Sequence, residues 1–462
     1  MNSTPASLRY PARLAAALLF VVTTNVFAAD PTIPFEKYQL KNGLTVILSE
    51  DHRLPQVAVN VWYHVGAANQ VPGKSGFAHL FEHMMFSGSK HVGKSPFAVL
   101  EKIGTSAGSM ANGTTNNDRT NYFEVVPSNE LPTALWLESD RMGFLLETLD
   151  EKKLAIQRDV VSNERRQSYE NRPYGTAQLT VCDTLYPKPH PYFDCVIGTL
   201  AEIQSASMGD LRSFFHQFYA PNNASIAIVG DFDSKVAKQL VEKYFAALPA
   251  AAPVAKPVPT PPVLTHEVSL TVPDKVAQVG RLMVVWPSGI TPFHPDEAAL
   301  DVLSQVLTSG RTSRFYRSLV FEKQVASDVG SDNGALGLGG YFEIDVTPRQ
   351  GHAVAELKPL VDGLIKDIQE KGPTAAEVDR AKRNIIAAAL RSVERIGGFG
   401  GKADTLNNYE MWRGDPGYLA KDLARYRAVT PEIVKAAAQK YLTSKRLLLD
   451  VEPAAHVTAA AP

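Results

Sequence analysis

The chain has 462 residues, enough for two domains of about 200 each once a leader is set aside, and its 47 basic and 48 acidic side chains nearly cancel. A net charge of -1 and a pI near 6.8 give no electrostatic basis for a nucleic-acid partner. Hydrophobic residues make up 45%, so the composition is that of a folded globular chain rather than a disordered one.

The first element is an export signal. Arg9 and Arg13 precede nine apolar residues, Leu14 to Val22, and Val26, Phe27 and Ala28 offer a small-residue cleavage site. This reads as a signal peptide over 1–28 and predicts a periplasmic or secreted protein. Nine apolar residues are too few to span a bilayer, and no later run approaches the roughly 20 needed. Two cysteines, Cys182 and Cys195, flank the Pro-rich stretch DTLYPKPHPYFD. In an oxidising compartment they are expected to form a disulfide, worth about 3 kcal/mol by loop entropy.

Residues 29–246 read as a first domain. Strands are expected over 44–48 and 57–65, followed by GFAHLFEHMMFSG over 76–88. On a helix, His79 and His83 stand one turn apart and Glu82 shares their face. Two imidazoles and a carboxylate in the order H-x-x-E-H match an inverted zinc-protease signature: two ligands, an open position for water, and a base beside it. Apolar neighbours Leu80, Phe81, Met84, Met85 and Phe86 bury the helix, and buried polar groups need partners that a metal supplies. A helix over 152–169 offers Glu164 as the third ligand, with Glu151, Asp159 and Glu170 as rivals that spacing does not eliminate. Strands over 107–114 and 120–126 place Asn112 and Tyr122 near the site if the first lies on an edge. No G-x-G-x-x-G or Walker pattern supports nucleotide binding.

Six prolines within 247–263 read as a semi-rigid linker. A strand and helix pattern restarts over 264–452, and 453–462 reads as a disordered tail. The second half has no H-x-x-E-H; His190, His216, His294 and His352 are scattered singly along the chain. The fold class is therefore α+β: two homologous α/β-sandwich domains, each a largely antiparallel sheet packed with helices.

GFAHLFEHMMFSGS, with MANGTTNNDRTNYFEVV over 110–126 and QRDVVSNERR over 157–166, resembles the insulinase, pitrilysin and mitochondrial processing peptidase family. The resemblance runs from about residue 35 to 450. It implies a zinc endopeptidase with one Zn2+ per chain, held by His79, His83 and Glu164, and Glu82 as general base. It also implies that an extended peptide lies along Asn112, Gly113, Thr114 and Tyr122. Gln157 stands where the family often has a further glutamate, so the surroundings of the ligands differ. The family's arginine and tyrosine, seven residues apart, align with Val320 and Ser327, which cannot replace them. A homologous partner subunit is expected to supply that pair; a catalytically weak zinc-bearing scaffold is the competing expectation.

Overall fold

The structure is a computed structural model that describes residues 31–93 and 95–454. The expected signal peptide, 1–28, and residues 455–462 of the expected tail lie outside the described residues. Strands β1 (Glu36–Gln39), β2 (Thr45–Glu50) and β3 (Gln56–Tyr63) lead to helices α1 (Phe77–Met84) and α2 (Pro96–Lys102). Strands β4 (Ala111–Thr115) and β5 (Thr120–Pro127) follow, then helices α3 (Leu131–Phe144), α4 (Glu151–Arg165), α5 (Gly175–Leu185), α6 (Leu200–Ser205) and α7 (Met208–Phe218). Strand β6 (Ala224–Gly230) and helix α8 (Ser234–Phe245) close the first half. The sheet runs β1-β2-β6-β3-β5-β4, antiparallel except for the β2–β6 pair.

The second half repeats the plan. Strands β7 (Val268–Asp274) and β8 (Arg281–Pro287), helix α9 (Glu297–Thr308), and strands β9 (Ala326–Gly334) and β10 (Tyr341–Pro348) come first. Helices α10 (Val354–Lys371), α11 (Ala375–Ser392), α12 (Lys402–Arg413), α13 (Leu419–Arg427) and α14 (Pro431–Tyr441) precede the last strand, β11 (Leu447–Pro453). The order β7-β11-β8-β10-β9 again contains one parallel pair, β7–β11, so each half is a helix-packed, mostly antiparallel sheet. β11 reaches Pro453 because Glu452 and Pro453 still pair with Pro273 and Asp274, which carries ordered chain past the expected tail boundary. Residues 247–263 form neither helix nor strand.

Both faces of both sheets are covered, which is why β3, β6 and β8 are apolar on every residue or nearly so. One face of the first sheet buries Val57, Val59, Val61, Ile226 and Ile228 with Phe81 and Met84 of α1. Its other face packs Ile47, Ala58, Ala227 and Val229 against Ala403, Leu406 and Leu423 from α12 and α13. Reciprocally, Ala177, Val181 and Leu185 of α5 pack on Met283, Val285, Leu449 and Val451 of the second sheet. Each half thus lends helices to the other. At about 1.5–3 kcal/mol per fully buried large aliphatic side chain, this exchange makes the two halves one packing unit.

Cys182 and Cys195 are disulfide-bonded. The enclosed loop grips the second half: Tyr186 Oη donates to Gly339 O at 2.9 Å, and Tyr192 Oη accepts from Leu338 N at 3.0 Å. His190 Nε2 lies 2.9 Å from Thr260 O. The loop's aromatics therefore have a structural use, and His190 belongs to it rather than to a metal site.

Candidate metal centre

The zinc-motif helix is short, and its start is held by contacts from distant chain. Gly76, the N-cap, has φ +76°; a Cβ there would also sit 2.5 Å from Ile197 O, so only glycine fits. Phe77 N donates to Gln70 Oε1 at 2.7 Å and Ser75 N to Glu202 Oε2 at 2.6 Å, satisfying donors that a helix start leaves open. α4 begins at Asp150, whose side chain accepts from Lys153 N at 2.8 Å, a cap worth about 1 kcal/mol. It packs along α1 and ends in a π-type turn over Arg166–Glu170.

These two helices bring the expected ligand set together. His79 Nε2 and His83 Nε2 are 3.3 Å apart; the Glu164 carboxylate lies 3.6 Å from the first and 3.2 Å from the second. Two nitrogens each about 2.0–2.1 Å from a tetrahedral zinc are separated by about 3.3–3.4 Å, so the imidazole spacing fits that ion. Among the described residues this is the one group of three or more His, Cys, Asp or Glu side chains close enough to share a metal. Of the rivals, Glu170 pairs with Arg165 at 3.3 Å, and Glu151 and Asp159 stand exposed.

Electrostatics suit metal binding. Burial, reinforced by the neighbouring His83, pushes the His79 imidazole down to about 4, so it is neutral with a free lone pair at physiological pH. The hydrogen bond from His83 holds the Glu164 carboxyl below its usual range despite partial burial. Neutral nitrogen and anionic oxygen are the ligand forms required.

Glu82 sits on α1 between the two histidines and is 8% exposed. Burial pushes its carboxyl up, opposed by a 2.6 Å hydrogen bond from Thr115 Oγ1 to Oε2. A more basic carboxylate is a better proton acceptor near neutral pH, and Thr115 fixes one oxygen while leaving the other available. Thr115 is a residue the motif reading missed. Its signal was period-two alternation, which puts Thr115 and Gly113 on the α1 side of β4 and Asn112 and Thr114 on the opposite side.

The remaining expected residues divide. β4 is an edge strand, so Asn112, Gly113 and Thr114 border an open row of backbone donors and acceptors. Gly113 admits Phe86, whose ring atoms would lie 3.0–3.1 Å from a Cβ. Thr114 Oγ1 donates to Asn121 Oδ1 at 2.5 Å and takes a hydrogen bond from Arg119. Tyr122 is fully buried behind the strand, edge-on to Tyr63 and Phe86; it supports β4 and does not reach a bound peptide. Gln157 Nε2 donates to Ser87 Oγ at 3.3 Å, tying α4 to the chain just beyond α1.

The second half holds the corresponding position with different chemistry. On α9, Ser304 Oγ donates to Ser331 O of β9 at 3.0 Å, as Glu82 meets Thr115 across α1 and β4. Asp301 accepts from Asn333 at 2.8 Å and from Tyr426 at 2.7 Å. A hydroxyl pair and a carboxylate hydrogen-bonded at both oxygens stand there instead. Val320 packs half-buried against the second core, and Ser327 Oγ donates to Thr347 O and Pro348 O.

Comparison with known proteins agrees with this geometry. Residues 45–186 match the family described as insulinase (peptidase family M16), and residues 205–385 match the peptidase M16 inactive domain. The zinc protease PqqE of Helicobacter pylori is 30% identical over 383 residues, covering 82% of this chain and 85% of that protein. An uncharacterized zinc protease of Bacillus subtilis, YmxG, is 23% identical over 425 residues, 91% of this chain and 99% of the relative. A protease from Helicobacter pylori of known crystal structure superposes with a TM-score of 0.84 at 26% identity, over 92% of this chain and 100% of that one. The periplasmic protease PqqL of Escherichia coli shares the fold, with a TM-score of 0.73 at 20% identity, over 94% of this chain but 49% of PqqL. A matched family over most of the chain and a 30% identical relative place the protein: it belongs to the insulinase family of peptidases, family M16.

Proposed function

We propose that the chain is a zinc-dependent endopeptidase acting on extended or unfolded peptides, with one zinc held by His79, His83 and Glu164 and with Glu82 as general base. The observation that carries this reading is the convergence of the two Nε2 atoms and the Glu164 carboxylate beside a buried Glu82 oriented by Thr115. Zinc in that position supplies Lewis-acid chemistry, acidifying water and polarising a carbonyl. Glu82 accepts the proton of the attacking water through its unbonded oxygen and returns it to the leaving amine. The open edge of β4 takes the peptide backbone by strand addition, main chain to main chain, beside Asn112, Gly113 and Thr114. Recognition of that kind selects conformation over sequence.

Completion by a homologous partner subunit is part of the proposal. Val320 and Ser327 lack the hydrogen-bond donors and reach needed at a developing oxyanion. In support, this chain matches the first half of PqqL over 94% of that half, so in PqqL a comparable unit is followed by more chain. Export is supported by the leader-like start, by the bonded cysteine pair, and by PqqL being described as periplasmic; no described helix is long and apolar enough to cross a membrane.

The second reading, a zinc-bearing scaffold with little activity, is favoured only by Val320, Ser327 and Gln157. Metal analysis separates the ligand assignment from the activity. Purified protein is expected to carry close to one zinc, and H79A, H83A and E164A to lose most of it. Unchanged zinc in all three variants would remove the assignment.

A further inference from the structure

Glu164 lies in the last turn of α4, just before the π-type turn. A helix end lacks intrahelical partners for its carbonyls and frays most readily, yet a metal ligand has to be held within about 0.5 Å of its place. On the side facing α1, Val161 packs in the core one turn earlier, and Gln157 bonds to Ser87 one turn before that.

A second side of α4 is bonded to a different partner. Arg158, Ser162 and Arg165 recur at i, i+4 and i+7, the spacing of one helix face, and all three meet the segment 198–206. Arg158 donates to Ala206 O, Ser162 Oγ accepts from Gln204 Nε2 at 2.9 Å, and Arg165 Nη1 donates to Gly198 O. The same segment grips the start of α1. Thr199 N donates to Ser75 Oγ at 3.1 Å, and Glu202 Oε2 accepts from Ser75 N at 2.6 Å. Gly198 packs so closely on Gly76 that a Cβ on it would lie 2.3 Å from Gly76 N. α6 and its flanks therefore bracket both ligand-bearing helices: Arg165 directly follows Glu164, and Ser75 and Gly76 lie one turn before His79. The bracket is itself anchored. Asp194 N donates to Asp183 Oδ1 at 3.2 Å, and Cys195 is bonded to Cys182 of α5, the helix that packs on the second sheet.

We propose that this bracket sets the separation of α1 and α4 and with it the affinity for zinc, with Arg165 and Glu202 as its positioning residues and the Cys182–Cys195 bond as its anchor. Neither residue belongs to the ligand set; each acts through the backbone that carries a ligand. Arg165 ties down the last turn of α4 by a charge-assisted hydrogen bond, from a side chain only 13% exposed, so water competes little for it. Glu202 places a carboxylate on an N–H at the start of α1, where the helix dipole favours negative charge. The inference rests on the metal assignment above, since it concerns how His79, His83 and Glu164 are held together.

The test measures zinc affinity rather than turnover, by competition between metal-stripped protein and a chromophoric chelator. R165M and E202A are each expected to raise the zinc dissociation constant at least tenfold, within the roughly 10- to 100-fold that loss of a ligand-orienting partner costs. R165K keeps a donor and E202Q an acceptor, so both should restore most of the affinity. C182S/C195S should weaken zinc binding in the same direction. L357A cuts into the second core, to which the bracket does not belong; it lowers stability and should leave the dissociation constant unchanged. Should R165M fail to fold, E202A against E202Q decides. Wild-type affinity in R165M and E202A, a loss that R165K and E202Q do not reverse, or an equal loss in L357A would overturn the bracket. Wild-type affinity in C182S/C195S would overturn its anchor. A wild-type chain that takes up no zinc, or whose uptake H83A leaves unchanged, would instead overturn the metal assignment itself.

Discussion

E82Q is expected to keep its zinc and lose peptide hydrolysis by roughly 100- to 10,000-fold, the span for removing a positioned acid or base. That is about 3–5 kcal/mol of barrier. Glutamine has the same shape, and its amide oxygen still accepts from Thr115 Oγ1, so the helix and its packing stay intact. The change removes only the ability to take a proton. Because Glu82 is not in the ligand set, metal content separates it from H79A, H83A and E164A, which lose both. Near-normal turnover by E82Q in an active assembly would mean that another residue handles the proton.

The second large effect concerns the partner. The purified chain is expected to hydrolyse peptides poorly, and a homologous subunit carrying arginine and tyrosine at the places of Val320 and Ser327 should raise the rate at least tenfold. Substituting that arginine in the partner should reverse most of the gain. The physical reason is an asymmetry within this chain. The first half brings His79, His83 and Glu164 together beside Glu82, whereas α9 and β9 of the second carry Ser304, Ser331 and an Asp301 hydrogen-bonded at both oxygens. Dimerising with a copy of itself repeats the deficit. Full activity from the single chain, unchanged by such a subunit, would show that the missing pair is not needed.

The core of the candidate site was legible in the sequence because its spacing is local: His79, Glu82 and His83 fall on one helix face whatever surrounds them. Strands such as β8 were legible from apolar, β-branched runs. What was not legible lies in long-range packing. α5, α12 and α13 cross to the opposite half, and α12 buries Ala403, Leu406, Asn407 and Tyr409 against a sheet distant in sequence, so its apolar stripe is weak. α8, by contrast, carries an apolar stripe and an Asp233 cap that are local signals. Tyr122 was placed on the correct strand, but facing inward or outward depends on register against β3, where it pairs with Val61. Thr115 was missed because only its position opposite α1 gives it meaning.

Zinc titration is the decisive experiment for a zinc-dependent peptidase. Protein stripped with a chelator, together with its partner if one is needed, would be titrated with zinc while hydrolysis of an unstructured peptide is followed. No hydrolysis is expected in the stripped protein, and zinc should restore it to a plateau at one zinc per chain, a rise absent in H83A. Hydrolysis that persists without metal, or zinc uptake at one per chain with no hydrolysis in the complete assembly, would contradict it.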